Sequence, residues 1–259
     1  MHPVLIDFGK FQIYTYGFMI AIGVVAGVAY LVKRGKKEVN LTFDHANNLF
    51  LLIFAAAFIG GKVFLFFEDP SRYAHNIRQL FTGSGFVFYG SFLFAVPTML
   101  WYFRRNKLPV YQMLDIMAVV TCLVHMFGRI GCFMAGCCYG LPTSSSFSVT
   151  FTNPACQAKP LNTPLYPTQL MEAGFILFVI IILLWLRAKK QFHGQLFLLY
   201  LMLYATGRFV LEYFRGDSSR GYIIEGYITH SQAVALAVFG VSLWVYATWK
   251  KQNSISTGK

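Results

Sequence analysis

Long apolar runs alternate with short polar segments along the whole chain. Seven of these runs are long enough for a membrane-crossing helix, which takes roughly 20 residues. The runs cover about Ile13–Val32, Leu49–Phe67, Phe86–Phe103, Val110–Phe127, Gln169–Leu186, Gln195–Phe214 and Ser231–Trp249. The pattern predicts an all-α polytopic membrane protein with seven transmembrane helices, in a single transmembrane domain over residues 1–259.

Clusters of positive charge orient the predicted helices. They follow the first, third, fifth and seventh runs, and comprise Lys33, Arg34, Lys36 and Lys37; Arg104, Arg105 and Lys107; Arg187, Lys189 and Lys190; and Lys250, Lys251 and Lys259. Short loops rich in lysine and arginine stay in the cytoplasm. We therefore expect the N-terminus outside and the C-terminus in the cytoplasm. The first residues, MHPVLIDFGKF, lack the basic region that begins a cleaved signal peptide.

Composition supports the membrane assignment. Hydrophobic residues make up 56% of the chain and charged residues 12%, and the mean hydropathy is +0.54. The formal net charge of +12 raises the question of nucleic-acid binding. The positive residues, however, fall in short clusters between apolar runs, and no basic face carries interleaved aromatic residues. We therefore expect no nucleic acid among the partners.

The longest predicted connection follows the fourth run and ends near Pro167. Within it, Ser146–Phe151 alternates polar and apolar residues, which favours a short strand or hairpin. Several prolines oppose a helix in this connection, namely Pro142, Pro154, Pro160, Pro164 and Pro167. We interpret residues 141–167 as a small periplasmic head inserted into the transmembrane domain.

Ionisable residues also occur within the runs or at their edges, and these are Lys62, Asp115, Arg129, Glu172, Arg208 and Glu212. Such residues are costly at membrane depth and usually mark function. Arg208 and Glu212 share a helix face at i,i+4 spacing and can pair, and Arg215 extends that face. Because the planar guanidinium group suits phosphate, Arg129 and Arg208 indicate a phosphate site. The alternative is a set of buried ion pairs that lock helices together, a structural role that we assign to Asp115.

Three of the five cysteines, Cys132, Cys137 and Cys138, fall in the stretch HMFGRIGCFMAGCCYG. Their spacing matches no established zinc pattern and includes no CxxC pair, so we expect no metal site. On the outer side of a membrane, disulfides can form. A disulfide that includes Cys156 and a set of free packing thiols therefore both remain open. Cys122, inside the fourth run, is expected to be a small apolar residue.

Six sequence blocks recur, in the same order, in one known family of membrane enzymes. They are Tyr14–Gly17, Gly60–Lys62, Gly83–Gly90, Gly128–Gly140, Tyr166–Glu172 and Arg208–Arg215. The fourth block corresponds to that family's signature, approximately G-R-x-G-N-F-x-N-x-E-x-x-G. On these blocks the chain resembles the prolipoprotein diacylglyceryl transferase family. The resemblance implies a bacterial inner-membrane enzyme with seven spans and a small periplasmic head.

The resemblance also implies a reaction and its participants. The diacylglyceryl group of phosphatidylglycerol moves to the thiol of the lipobox cysteine in a prolipoprotein signal peptide, which forms a thioether and releases glycerol phosphate. The departing phosphate needs cations, which implies catalytic roles for Arg129 and Arg208, while Tyr89 or Glu172 positions or accepts the thiol proton. No cofactor is required, and membrane lipids surround the acyl tails. The implied substrate-binding residues are Tyr16, Lys62, Gly90, Cys132, Gly140, Gln169, Glu212 and Arg215.

The chain departs from the family pattern at several of these positions. Cys132 and Cys137 replace the asparagine and glutamate of the signature. Tyr89 and Tyr166 stand where histidines are usual, and Lys62 replaces an arginine. The pattern is similar to a cysteine-rich branch of the family that carries GCF and GCCYG at these places.

These departures leave three alternative functions open. The first is a membrane thiol-redox enzyme that uses Cys132, Cys137 and Cys138. The second is a lipid or peptide transporter whose arginines bind a head group without turnover. The third is a related transferase with a different lipid donor or acceptor.

Overall fold

Nine α-helices carry most of the residues that the computed structural model describes, which are 1–9, 12–74, 77–82, 85–216, 221–224 and 227–252. Gly83, Ser84 and Lys259 lie outside the described residues. The helices are α1 (Thr15–Val39), α2 (Phe43–Glu68), α3 (Pro70–Ala74), α4 (Ile77–Thr82), α5 (Phe88–Arg105), α6 (Val110–Ala135), α7 (Thr168–Leu186), α8 (Gln195–Leu211) and α9 (His230–Gln252). Short antiparallel ladders pair β1 (Val4–Asp7) with β2 (Gln12–Tyr14), β3 (Val149–Thr150) with β4 (Pro164–Leu165), and β5 (Tyr222–Ile224) with β6 (Ile228–Thr229).

Contacts between residues divide the chain into two compact units. The first unit contains residues 1–29 and 114–259, and the second contains residues 30–113. Helices α1 and α6 each contribute residues to both units. The single transmembrane domain with an inserted head stays a prediction.

Six helices in the described part of the chain are long and apolar enough to cross a membrane. They span Thr15–Val39, Phe43–Glu68, Val110–Ala135, Thr168–Lys189, Gln195–Phe214 and His230–Trp249. The third predicted run forms α5, an 18-residue helix that contains Pro97 and ends on Arg104 and Arg105. The helical, multi-span architecture is thereby confirmed. The seventh span and the location of the head stay predictions.

The fourth run forms a longer helix than the sequence pattern predicts. Helix α6 continues to Ala135, whereas the predicted run ends near Phe127. Gly131, in this extension, lies against the first turn of α1, where an added Cβ would be 3.1 Å from Tyr16 Cδ2. Close packing of this kind supports a helical glycine at a helix interface. Arg129 therefore projects from a helix and not from a loop.

Glycines on successive turns of α1 also allow this helix to pack closely against α6. A Cβ at Gly23 would lie 2.9 Å from Phe127 Cβ, and a Cβ at Gly27 would lie 3.2 Å from Val120 Cγ1. Glycine at both positions lets the two helices approach closely. Packing therefore requires glycine at Gly23 and favours it at Gly27.

The connection between α6 and α7 has a small apolar core of its own. Phe151, Cys156, Ala158 and Leu165 are buried together, and Phe133 of α6 packs against them. Strands β3 and β4 pair across this core, which confirms a strand within the alternating segment, although it is only two residues long. The core fixes the path of the chain that leaves α6 and enters α7.

In the second unit, three glycines allow α2 and α5 to cross closely. A Cβ at Gly60 would lie 2.7 Å from Phe94 Cβ, and a Cβ at Gly61 would lie 2.7 Å from Ser91 Oγ. A Cβ at Gly90 would lie 2.6 Å from Phe64 Cβ. These distances are too short for any side chain larger than hydrogen, so glycine is required here by packing.

Candidate functional site

A buried carboxylate near the start of α7 gathers arginines from two other segments. Glu172 is only 2% exposed. Arg129 Nη2 lies 3.1 Å from Glu172 Oε1, and Arg215 Nη1 lies 3.9 Å from Glu172 Oε2. Each guanidinium group has five N–H donors, so it can hold Glu172 and an incoming anion at the same time.

Two further side chains contact Glu172, and neither of them is among the site residues predicted from the sequence. His125 Nε2 lies 3.3 Å from Glu172 Oε1 and 3.2 Å from Arg129 Nε. A neutral Nε2 accepts from Arg129, whereas a protonated Nε2 donates to Glu172. Tyr204 OH donates to the same Oε1 over 3.5 Å. The available signal was spacing, because His125 and Tyr204 each precede a predicted arginine, Arg129 or Arg208, by one helical turn.

Arg208 forms the ion pair that its spacing predicts. Its Nη1 lies 2.6 Å from Glu212 Oε2, and its Nη2 donates to Ser231 Oγ of α9 over 3.2 Å. The short ionic contact lacks the angle of a hydrogen bond, and both atoms are buried without a hydrogen-bond partner in the described part of the chain. Buried polar groups are normally hydrogen-bonded. A phosphate oxygen would supply the acceptor that Arg208 Nη1 lacks.

A short backbone ladder positions Arg215. Gly140 forms an antiparallel bridge with Arg215, and its N–H donates to Tyr166 O over 3.0 Å. A Cβ at Gly140 would lie 2.5 Å from Tyr166 Cβ and 2.7 Å from Phe214 O. Glycine is therefore required where the chain after α6 passes between the segments before α7 and after α8. Gly140 is predicted to bind substrate, and the structure shows a second possible role, which is to position Arg215 through the backbone bridge.

Three guanidinium groups lie close to two carboxylates in this part of the structure. They are those of Arg129, Arg208 and Arg215, and the carboxylates are those of Glu172 and Glu212. The planar guanidinium group matches the oxygen atoms of a phosphate. The cluster therefore presents preformed cations that suit an anionic ligand.

Helix α6 ends in a Schellman motif that brings two cysteines together. Gly136, with φ of 74°, donates to Phe133 O over 3.2 Å, and Cys137 N donates to Cys132 O over 3.1 Å. In this motif the residue that starts the last helical turn contacts the residue after the left-handed glycine. Those two residues are Cys132 and Cys137. The turn from Cys132 to Cys137 therefore brings their two thiols close together, although their spacing in the sequence matches no known metal-binding motif.

Cys138 completes a group of three thiols. The Sγ atoms of Cys132, Cys137 and Cys138 all lie within 4.8 Å of one another. The pKa of the Cys138 thiol is lowered, first by hydrogen bonds from the other two thiols and then by the charges of Arg129 and Arg215. All five cysteines of the chain are free thiols in this structure.

Two buried side chains at the start of α7 hold the loop that carries these thiols. Gln169 Nε2 donates to Cys137 O over 2.7 Å, and Thr168 Oγ1 donates to Cys138 O over 2.8 Å. Gln169 is 1% exposed, and its Oε1 lacks a hydrogen-bond partner among the described residues. Gln169, predicted to bind substrate, thus anchors the loop through its amide nitrogen and keeps a buried acceptor oxygen.

The remaining predicted site residues are divided between the two units. Tyr16, in the first unit, is 42% exposed and packs beside Gly131. Lys62, Tyr89 and Gly90 belong to the second unit. Lys62 is 5% exposed with Nζ 5.9 Å from the centroid of the Phe58 ring, whereas Tyr89 is 68% exposed.

Comparison with known proteins adds a family to this geometry. The sequence model of the prolipoprotein diacylglyceryl transferase family matches residues 3–248. The chain is 35% identical over 249 residues to the phosphatidylglycerol–prolipoprotein diacylglyceryl transferase of Clostridium tetani (strain Massachusetts / E88), covering 95% of this chain and 97% of that protein. It is 31% identical over 261 residues to the second enzyme of that name in Clostridium perfringens (strain 13 / Type A), covering 100% of both chains. It is 30% identical over 262 residues to the Acinetobacter baumannii (strain AYE) enzyme of that name, covering 96% of this chain and 93% of the other.

Proposed function

Because the chain belongs to the prolipoprotein diacylglyceryl transferase family, we propose that it transfers the diacylglyceryl group of phosphatidylglycerol to a prolipoprotein. The acceptor is the thiol of the lipobox cysteine in the signal peptide. The sulfur of that thiol forms a bond to the glycerol carbon that carries the phosphate, and the carbon–oxygen bond to phosphate breaks. The products are a thioether and glycerol phosphate.

The observation that carries this proposal is the convergence of Arg129 and Arg215 on Glu172. Negative charge develops on the phosphate oxygen as the carbon–oxygen bond breaks. Preformed cations that meet this charge in a site shielded from water stabilise the transition state strongly. Arg208 contributes through Nη1, which has a short ionic contact but no hydrogen bond. We assign catalytic roles to Arg129 and Arg208, and a phosphate-binding role to Arg215.

In this proposal the two carboxylates position the arginines. Glu172 and Glu212 hold the guanidinium groups and reduce their mutual repulsion. We propose Glu172 as a group that also receives or relays the proton of the acceptor thiol, and we keep Tyr89 as a second candidate for that role.

The other predicted residues enter the proposal as contacts to the two substrates. The exposed ring of Tyr16 lies beside the α6 segment that carries Arg129 and suits the interfacial part of a lipid. Lys62 and Gly90 are proposed to contact substrate. Cys132, Gly140 and Gln169 are proposed to shape the acceptor side of the site.

Acyl chains need an apolar surface next to the phosphate site, and α8 and α9 offer one. A groove of about 190 Å³ is lined by Ala205, Thr206, Phe209, Val210, Ala235, Leu236 and Phe239. Arg208 lies on α8 within the stretch that lines this groove. A lipid whose phosphate meets Arg208 would therefore place part of a tail against apolar side chains.

We further propose a bacterial inner-membrane location with seven spans. In this arrangement α5 is the additional span, the N-terminus and residues 141–167 lie in the periplasm, and the C-terminus lies in the cytoplasm. The clusters of lysine and arginine support this orientation. A reporter fused after residue 107 and another fused after residue 159 should therefore report opposite sides of the membrane.

The function is tested with the purified full chain in vesicles that contain phosphatidylglycerol. A synthetic signal peptide with an intact lipobox cysteine should become lipidated, with one glycerol phosphate released per thioether formed. The matched control is the same peptide with serine in place of the cysteine, which should give neither product. Complementation of cells depleted of their own diacylglyceryl transferase should restore lipoprotein maturation.

The same assay separates the alternatives. A transporter would bind the lipid without releasing glycerol phosphate. A thiol-redox enzyme would change the oxidation state of the peptide thiol and form no thioether. Release of a different head group, or transfer only from another phospholipid, would contradict the assignment of phosphatidylglycerol as the donor.

A further inference from the structure

The cluster of three thiols formed by Cys132, Cys137 and Cys138 has the composition of a metal site with an open coordination position. Among the described residues, no histidine or carboxylate joins these three within ligand distance of one another. Structural zinc sites have four protein ligands, whereas catalytic zinc sites have three and leave the fourth position to water or substrate. Three thiols without a fourth partner therefore correspond to the second kind.

The separation of the sulfur atoms suits a single cation. Zinc–sulfur bonds of about 2.3 Å at tetrahedral angles place the sulfur atoms about 3.8 Å apart. The Sγ atoms of the three cysteines already lie within 4.8 Å of one another. Side-chain rotations of Cys137 and Cys138, which are half-buried, can close the difference.

The backbone that carries the thiols is held in place without the cation. The Schellman motif joins Cys137 N to Cys132 O, and Gln169 and Thr168 fix the carbonyls of Cys137 and Cys138. Groups that orient the ligands from behind raise metal affinity, because less ordering is needed on binding.

The charge around the thiols also favours such a centre. Zinc with three thiolates carries one negative charge. Arg129 lies one helical turn before Cys132 on α6, and Arg215 forms a backbone bridge with Gly140, two residues after Cys138. These are the guanidinium groups that the proposed function assigns to phosphate, so the metal centre and the phosphate site would adjoin.

We propose that Cys132, Cys137 and Cys138 bind one zinc ion, and that the thiol of the incoming lipobox cysteine occupies its fourth position. This inference rests on the proposed function for the identity of the acceptor, but the zinc site itself does not. A free thiol has a pKa of about 8.5, and coordination to zinc converts a thiol to the thiolate. The site would thereby supply the nucleophile next to the arginines that receive the phosphate.

The step balances without an oxidant or reductant. The acceptor thiol displaces a zinc-bound water, its S–H bond breaks, and its proton passes to Glu172, the acceptor that the proposed function assigns, as the zinc–sulfur bond forms. A lone pair of that sulfur then forms the bond to the glycerol carbon. The electron pair of the broken carbon–oxygen bond leaves on the phosphate oxygen, and the thioether, a weak ligand, leaves the zinc.

The first experiment measures metal directly in the purified full chain. Elemental analysis of the wild type should find one zinc per chain, and Cys138→Ser should lower bound zinc at least about tenfold. Cys122→Ala is the matched control, because Cys122 is buried in α6 away from the group of three, and it should retain the zinc. If Cys138→Ser fails to fold, alkylation of the wild type with and without a chelator replaces it. Zinc should then protect Cys132, Cys137 and Cys138 together.

The second experiment replaces zinc with cobalt and adds substrate peptide. The sulfur-to-cobalt absorption should increase with the lipobox peptide and not with its serine counterpart. Chelated protein should lose transfer activity, and added zinc should restore it.

Several outcomes would overturn the inference. A wild type without bound zinc, or a disulfide among the three cysteines in the active protein, removes the site. Full transfer by zinc-free protein refutes the role of zinc while leaving the proposed function intact. Conversely, zinc binding and a cobalt response without any glycerol phosphate release would support the site and refute the proposed function.

Discussion

Two buried carboxylates at opposite ends of the first unit's helices have different kinds of partner. Asp115, near the start of α6, is fully buried and accepts from the backbone amides of Gly194, Leu196 and Phe197 at 3.0, 2.9 and 3.2 Å. It also pairs with Lys190 Nζ at 3.2 Å. Its partners are thus mainly backbone donors at the start of α8, as in a helix N-cap supplied by another helix.

Glu172 is almost equally buried, but its partners among the described residues are side chains. Arg129, His125, Tyr204 and Arg215 reach it from α6, α8 and the segment after α8. Backbone donors cannot leave a carboxylate without unfolding a helix, whereas side chains can turn toward a ligand. We therefore expect Asp115 to stabilise the fold, and we expect the cations around Glu172 to be able to turn from the carboxylate to a ligand.

The largest effect is expected for Arg129→Ala. Removal of one preorganised donor to developing charge costs about 10²–10³-fold in turnover, and we expect a loss of this size in glycerol phosphate release. The measurement is the initial rate with saturating lipid and peptide, together with the thermal unfolding temperature in detergent.

Lys190→Ala is the matched control for this variant. It removes the side-chain cation from Asp115, as Arg129→Ala removes one from Glu172. We expect Lys190→Ala to lower the unfolding temperature and leave turnover per folded molecule unchanged. Equal turnover in both variants would contradict the division between the two carboxylates.

Asp115→Ala should give the largest change in stability. Three buried backbone amides would lose their acceptor and Lys190 its partner, which we expect to cost about 3 kcal/mol. The protein should unfold at a lower temperature and accumulate to a lower level in membranes. The fraction that remains folded should keep wild-type turnover, and a selective loss of turnover at unchanged stability would refute the structural role.

Hydrophobic patterning predicts most of the helices but not where α6 ends. Every predicted run overlaps a helix, because a continuous apolar run has no other way to satisfy its backbone in lipid. Gly128 and Gly131 follow directly after the predicted end of the fourth run. They are helical because α6 packs on α1 at Gly131, a tertiary contact that no local pattern contains.

The site was predictable from the sequence where its contacts lie within one helix, and not where they depend on how helices pack. The pair Arg208–Glu212 follows from i,i+4 spacing on one helix and is confirmed. The convergence on Glu172 depends on how α6, α7 and α8 pack, so spacing alone could not show it. His125 was missed because a lone histidine at the edge of an apolar run is ordinarily a core residue. The cluster of three thiols was missed because it forms only when α6 ends at Gly136, whose positive φ turns the chain back.

A smaller effect is expected for Glu172→Gln. The amide keeps the shape of the side chain and removes its charge, so Arg129 and Arg215 lose the group that positions them. We expect turnover to fall about 10- to 100-fold, since small misplacements of catalytic groups have effects of this size. The unfolding temperature should change less than in Asp115→Asn, the equivalent substitution at the other carboxylate. A larger destabilisation by Glu172→Gln would show that Glu172 also locks the helices.

The smallest effect is expected for Tyr204→Phe. The hydroxyl group lies 3.5 Å from Glu172 Oε1, at the outer limit of a hydrogen bond, and the variant keeps the edge-on ring contact with His125 at 5.3 Å. Because Glu172 retains Arg129 and Arg215, we expect turnover to change by only about twofold, in line with the small net contribution of one weak hydrogen bond. The measurement is the same initial rate over a range of lipid concentrations. A loss as large as that of Arg129→Ala would mean that the hydroxyl group contacts the substrate directly, and Tyr204 would then join the arginines as a catalytic residue.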